Sequence, residues 1–444
     1  MVLIEKNGLK VGLFCWFQHP PEWEHGLTKL RCLEHNQEST IVSLWDENLI
    51  KQYDKFYKDL SEKYRDRIGF LYVGVYGDYG EVVFPAGVKH YKFSPPHNHQ
   101  GFWCGDKLAR ADYRKYLEQK YKNVENLNKS WNTDFKSLDD DLMPKMPFAK
   151  NPLQMRMDFA DWYTGSLMNF TDKVCKTARK YFPNTPMGLP IGFLSEDLRL
   201  GQQKSLAVKI AAQNGILARW TGLAYTKEFP LTNVSTRRVS SAARFYGAKF
   251  GVEAAIGVSD DKVAAAVYEA LANSCSMLHN DPMSIFAEKE QYEKYKPYIK
   301  CLPVYCTLAV YYPYKAEIYG CINTNAVYRE FADVREHSDY DIADDQMISD
   351  GFLNTVKDLF LPNNCPITAS TAAFMRDWER KGGRIWYMKG HNPRTLETGN
   401  ILELGKPLDT LDYFGKKDGC YYTDHGDSVS KYDPSKKSIE ILKK

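Results

Sequence analysis

No stretch of the chain approaches the roughly 20 consecutive apolar residues that a helix needs to cross a bilayer. The first ten residues, MVLIEKNGLK, hold too short an apolar run for a signal peptide, and no small-residue cleavage site follows. The sequence thus predicts no membrane partner and leaves the compartment open. Charge of one sign is also missing, because 59 Lys and Arg face 56 Asp and Glu, a formal net charge of +3. A nucleic-acid partner needs a concentrated basic surface and is not expected. The ten cysteines, at 15, 32, 104, 175, 275, 301, 306, 321, 365 and 420, include no CxxC pair and no regular spacing. This argues against a disulfide framework or a zinc ribbon, and most of the cysteines are expected to be buried, reduced and structural. Internal repeats and low-complexity linkers are absent as well.

What remains is a chain of 444 residues, 43% hydrophobic, long enough to bury a large core in two domains. Aromatic residues make up 14% of it, with 30 Tyr, 22 Phe and 9 Trp. Such rings stack on sugar C–H faces, although large cores use them for area too.

Short buried runs alternate with amphipathic segments, the pattern of successive βα units around a parallel sheet. Strands are expected at 9–17 (LKVGLFCWF), 68–76 (IGFLYVGVY), 187–193, 215–224, 249–253 and 276–281, and helices at 47–64, 109–121, 157–181 and 260–272. After a charged segment at 288–300 the character changes at Cys301-Leu302-Pro303. Strands at 307–312, 356–361 and 384–388, with helices between them, predict a smaller open-sheet α/β domain. The expected divisions are a barrel over 1–300, the second domain over 301–405 and a β-rich tail over 406–444 containing a hairpin.

In a parallel barrel, functional side chains gather at the C-terminal ends of the strands. Glu81, in Gly77-Asp78-Tyr79-Gly80-Glu81, follows the run 68–76 by a short glycine-bearing turn. Glu253 closes the run 249–253. Two carboxyl groups at strand ends suit glycoside hydrolysis, where one protonates the leaving oxygen and the other attacks or activates water. Either could instead cap a helix or carry a solvated loop charge.

Three stretches in order resemble the glycoside hydrolase family 42 β-galactosidases: Ser43-Leu-Trp-Asp, the segment from Ile68 to Glu81, and Ala111-Asp-Tyr-Arg-Lys-Tyr-Leu117. The last runs into Lys120-Tyr121, Leu127-Asn128 and Trp131. The resemblance continues through Arg244-Phe-Tyr-Gly-Ala-Lys-Phe-Gly-Val-Glu253 and Ala265-Ala-Val-Tyr-Glu-Ala-Leu-Ala-Asn-Ser. It reaches Val310-Tyr-Tyr-Pro313, Asp344 to Gly351 and Trp378-Glu-Arg-Lys-Gly-Gly383, which look like that family's non-catalytic, amidotransferase-like domain. It implies a (β/α)8 glycosidase acting on a carbohydrate, with Glu81 as acid/base, Glu253 as nucleophile, no cofactor, and trimer contacts through the second domain.

Two departures accompany the resemblance. Gly80 stands where barrel glycosidases of this clan carry Asn, and the Gly-Asp-Tyr-Gly-Glu turn is also similar to the acid-bearing turn of β-amylases, which invert. In the family, a segment like Lys6-Asn-Gly-Leu-Lys-Val-Gly-Leu leads into the third barrel strand. The six strands are thus expected to be strands three to eight of a barrel lacking its first two βα units: either the chain is a truncated reading of a longer one or another element closes the sheet, and the aggregation hazard of an open edge favours truncation. A non-catalytic carbohydrate-binding protein is the competing expectation.

Further candidates lie around these carboxylates. Trp16, Trp23, Trp45, Trp103 and Trp220 fall at or near strand ends and could form a stacking platform. Asp78, Tyr79 and His279 are candidate partners of the sugar or the carboxylates, and Glu228 a candidate sugar-binding group or alternative catalytic carboxylate. His90, His97, His99 and Cys104 are the metal-like residues, read as a polar loop with no metal assigned.

Overall fold

The structure, a computed structural model, describes residues 6–17, 26–84, 97, 99–192, 197–223, 229–254, 269–279, 293, 301, 303–322, 324–363, 365–414, 416–417, 420–424, 428–433, 435–436 and 438–443. It forms two compact units, Met1–Gly192 with Glu196–Ala218, and Phe193–Ser195 with Arg219–Lys444.

In the first unit, β1 (Val11–Phe14) is followed by an antiparallel hairpin of β2 (Lys29–Arg31) and β3 (Glu38–Val42) that the apolar pattern does not reveal. Helix α1 (Glu47–Tyr64) starts at Asp46, whose side chain accepts from Asn48 N and from Thr28 N at 2.9 Å. Its buried Leu49, Tyr53 and Tyr57 recur at i, i+4 and i+8, one stripe of the helix. Strands β4 (Ile68–Tyr72) and β5 (Met187–Gly192) complete a parallel series with β1, in which Val11 lies opposite Ile68 and Leu71 opposite Met187.

Between β4 and β5 run α2 (Lys107–Tyr121), α3 (Val124–Trp131) and α4 (Leu153–Tyr181), and α5 (Lys204–Gln213) follows β5. The residues Lys120, Tyr121 and Trp131, singled out above as a pattern, have a physical reason here: all three donate to Asp158. This carboxylate is fully buried in α4 and takes Lys120 Nζ at 2.6 Å, Tyr121 OH at 2.5 Å, Trp131 Nε1 at 2.7 Å and Gln154 Nε2 at 2.9 Å. Four donors around one buried anion satisfy it and fix α2 and α3 on α4.

The second unit carries β6 (Leu217–Leu223), at whose start the boundary falls, then α6 (Phe229–Tyr246), β7 (Phe250–Ala254) and β8 (Met277–His279). Strand order in the main sheet is β1-β4-β5-β6-β7-β8, the sequential order of a parallel barrel wall. Of the helix expected over 260–272, residues 269–272 are described and are helical; the segment 288–300 lies almost wholly outside the described residues.

The smaller sheet joins β9 (Leu308–Tyr312), β10 (Asp341–Asp344), β11 (Asp358–Phe360), β13 (Arg384–Met388) and β15 (Lys406–Leu408) in the order β10-β9-β11-β13-β15, all neighbours parallel. That is the 2-1-3-4-5 order of open doubly wound sheets. A minor pair, β12 (Pro366–Ile367) and β14 (Arg394–Thr395), stands apart. The expected tail hairpin is a four-stranded antiparallel sheet of β16 (Lys416–Lys417), β17 (Cys420–Asp424), β18 (Ser428–Asp433) and β19 (Ser438–Lys443).

Helix α6 packs on the smaller sheet through polar side chains. Arg237 Nη2 donates to Asp339 at 2.7 Å, Ser241 Oγ to Asp341 at 2.9 Å, Arg244 pairs with Asp341, and the Arg238 guanidinium lies 3.5 Å from the centre of the Tyr312 ring. Its buried positions include Ser235, Thr236, Arg237, Ser240 and Ser241, so no apolar stripe marks it in the sequence.

Candidate active site

Strand β4 ends at Tyr72, earlier than the apolar run suggests, because the chain starts to double back while still buried. Val73 N donates to Gly188 O at 2.8 Å, but Val75 N already turns to Gly80 O at 3.0 Å and Gly77 N to Glu81 O at 2.9 Å. The reversal places Tyr79 at φ +57° and Gly80 at φ +75°. A side chain at Gly80 would bring its Cβ within 2.7 Å of Cys15 O and 3.1 Å of Gly74 Cα. Asparagine cannot occupy that position without moving β1, which explains the glycine found before Glu81. The turn is also held from outside, since Tyr53 OH of α1 donates to Val75 O.

The turn leaves Glu81 buried, 2% exposed, with its carboxyl directly above Gly192 at the C-terminal end of β5. A Cβ at Gly192 would sit 2.7 Å from Glu81 Cδ and 2.8 and 2.9 Å from its two oxygens. Beside the turn, Trp16 and Tyr79 meet edge to face with centroids 5.2 Å apart. Both rings are exposed, Trp16 by 46% and Tyr79 by 41%, which is unusual for aromatics beside a buried carboxylate. The Asp78 backbone lies in the same turn; its side chain is outside the described residues.

In the second unit, Glu253 sits on β7. Its Oε2 accepts from Thr221 Oγ1 at 3.1 Å and is paired with the Arg219 guanidinium, both partners projecting from β6 two residues apart and so onto one face. Arg219 is completely buried, whereas the Glu253 side chain is 23% exposed. This carboxylate is therefore one partner of an ion pair at the edge of solvent. On β8, His279 is the register partner of Glu253, with its side chain outside the described residues.

Arg219, Thr221 and Gly192 are the residues that reading strand ends alone misses. The first had a visible signal, an arginine inside the buried run LARWTGL. The remaining tryptophans are packed: Trp103 is 1% exposed with Nε1 donating to His99 O at 3.2 Å, and Trp220 is 0% exposed. Trp45 stacks on Trp162 at 5.2 Å and donates to Ser166 Oγ at 3.3 Å. Trp23, Glu228 and His90 lie outside the described residues. The structure groups His97 and His99 with Cys32 and His35, while Cys104 is fully buried with its thiol pushed up by burial.

All ten cysteines are free thiols, and no helix among the described residues is long and apolar enough to cross a membrane.

Residues 32–193 match the family model described as glycosyl hydrolase family 14. No curated protein matches the chain. Among solved structures, the chain is similar to the catalytic domain of a β-amylase from Paenibacillus polymyxa, with TM-score 0.54 and 17% identity over 68% of this chain and 84% of that one. It is also similar to a β-galactosidase from the Antarctic haloarchaeon Halorubrum lacusprofundi, with TM-score 0.68 and 11% identity over 95% of this chain and 68% of that one. An exo-carrageenase from Bacteroides ovatus gives TM-score 0.62 and 11% identity over 96% of this chain and 68% of that one. The chain thus spans about two thirds of the length of the latter two. Its fold is that of the barrel glycoside hydrolases, with a curled parallel sheet and a second, smaller sheet.

Proposed function

We propose that this chain hydrolyses a β-linked glycoside or polysaccharide by double displacement on that fold, with Glu81 as general acid/base and Glu253 as nucleophile. The observation that carries the reading is the Glu81 carboxyl, buried over Gly192 at a strand end inside the segment that matches a glycosyl hydrolase family. Glu81 protonates the glycosidic oxygen as Glu253 attacks the anomeric carbon; Glu81 then takes a proton from water, which releases the sugar. Trp16 and Tyr79 offer the exposed ring faces that a sugar can cover. The smaller sheet is non-catalytic in this reading, and a trimer, implied by the family resemblance, is checked by light scattering on the eluting protein.

The stereochemistry of turnover tests the mechanism. Proton NMR at the start of hydrolysis of an aryl β-glycoside is expected to show the β-anomer first, as double displacement requires. The α-anomer first would make Glu253 the base of an inverting enzyme, as in β-amylases. Folded protein that turns over neither aryl β-glycosides nor α-glucans would leave a carbohydrate-binding role instead.

Gly192 provides a second check. In Gly192→Ala the new methyl meets the end of the Glu81 side chain and not the backbone, so the carboxyl moves while the fold tolerates the change. The expected result is a fall in kcat of about 10- to 100-fold, the scale set by an ångström of misplacement. The thermal midpoint should hardly move. Unchanged kcat in a folded Gly192→Ala protein would mean that the Glu81 position is not used.

A further inference from the structure

We infer that Tyr79 and Trp16 form the subsite for the leaving group, and that the substrate is one whose leaving group is itself a ring, as in an oligosaccharide or polysaccharide. This rests on the reading of Glu81 as the general acid. The observation behind it is a strained backbone, because Tyr79 sits at φ +57° and ψ +20°, in the left-handed region. The other non-glycine residues with positive φ among the described ones are Asn36, Lys122, Asn132 and Ser274, so Tyr79 is the one aromatic. Asparagine takes up this conformation with little strain, whereas a bulky side chain there is an outlier.

Burial does not compensate for the strain, since both Tyr79 and Trp16 are exposed. Strain held at an exposed ring is a mark of function rather than of packing. The rings are also fixed in place. Cys15 O, next to Trp16 in the chain, lies so close to the turn that a Cβ at Gly74 would come within 1.8 Å of it and one at Gly80 within 2.7 Å. The end of β1 and the Glu81 turn are thus docked backbone to backbone. Behind Trp16, the Phe14 ring meets it edge to face at 6.1 Å, and Phe14 in turn packs on Tyr72 of β4 at 4.9 Å. Trp16 and Tyr79 stand at 81° to each other, so they make a corner rather than a flat platform.

The place of the corner assigns what it holds. A general acid hydrogen-bonds the glycosidic oxygen, and the group that keeps that oxygen is the leaving group. Tyr79 lies two residues before the acid on the same turn, which is closed by Gly80 N donating to Gly77 O at 2.8 Å. A leaving group departing from Glu81 therefore has aromatic rings beside it. A pyranose offers apolar C–H faces to such rings, and a small alcohol does not. The corner thus selects by the leaving group, whichever sugar precedes the scissile bond.

Calorimetry with uncleaved analogues tests this without turnover, using the phenyl and methyl thio-β-galactosides and thio-β-glucosides. For at least one of the two sugars, wild-type protein is expected to bind the phenyl thioglycoside about tenfold or more tightly than the methyl one, the scale of one aromatic contact. Tyr79→Asn and Trp16→Ala should each abolish that preference, while Tyr79→Phe, which keeps a ring, should retain it. The thermal midpoint of Tyr79→Asn should hold or rise by up to about 4 °C as the strain is released. Wild-type protein that binds phenyl and methyl thioglycosides alike, or binds neither, overturns the inference, as do ring-less variants that keep the preference. An active protein without the preference refutes the corner alone, and an inactive protein with it refutes the hydrolytic reading alone.

Discussion

Glu81→Gln is expected to lower kcat/KM on a glycoside with a poor leaving group by about 10²- to 10⁴-fold, the usual contribution of positioned acid–base catalysis. Glutamine has the shape of glutamate, so it keeps the contact over Gly192 and should leave the thermal midpoint nearly unchanged. What it removes is a proton. The loss should therefore depend on the leaving group: a dinitrophenyl glycoside, whose phenolate departs without protonation, should suffer much less in the first step. With such a substrate, release of the glycosyl-enzyme becomes slow, because water has lost its base. Added azide, which needs no base, should then raise the rate and yield a glycosyl azide of β configuration. A Glu81→Gln protein as active as wild type on unactivated substrates would falsify the acid/base role. Equal losses on both substrate types would reduce Glu81 to a positioning group.

The sequence and the geometry agree best where a single physical rule acts alone. Buried runs such as Met187–Gly192 and Leu308–Tyr312 are legible because a parallel strand covered on both faces must be apolar throughout. The turn carrying Glu81 is legible from its glycines, and the structure adds why Gly80 cannot be asparagine. Helix α6 is not legible, since it buries arginines and serines whose charges are met by Asp339 and Asp341, a hundred residues further on. No local pattern reports a partner at that distance. The histidine cluster fails for the same reason: Cys32 and His35 stand some 60 residues from His97 and His99, and spacing pointed to Cys104 instead. The tryptophans show the opposite limit, because a ring near a strand end looks the same in sequence whether it faces solvent, as Trp16 does, or the core, as Trp220 does.

The ion pair between Arg219 and Glu253 separates a structural from a catalytic role for that carboxylate. Arg219→Met is expected to reduce the unfolding free energy by about 3 kcal/mol, the lower end for breaking a buried pair, since Glu253 is partly exposed and solvent softens the loss. Glu253→Gln should cost as much or more, because the guanidinium it abandons is completely buried. The double variant Arg219→Met with Glu253→Gln should recover much of the loss, for neither charge is then left alone. A coupling of about 1–3 kcal/mol in denaturant titrations of the four proteins would establish the pair. Activity per folded molecule carries the second half of the argument. If Glu253 is the nucleophile, Arg219→Met should lower kcat by about 100-fold or more through lost aim. Thr221→Val, which removes one hydrogen bond to the same oxygen, should lower it less. The double variant, restored in stability, should still be inactive. A double variant that regained both stability and turnover would show that Glu253 holds the barrel wall together and that the attacking carboxylate lies elsewhere.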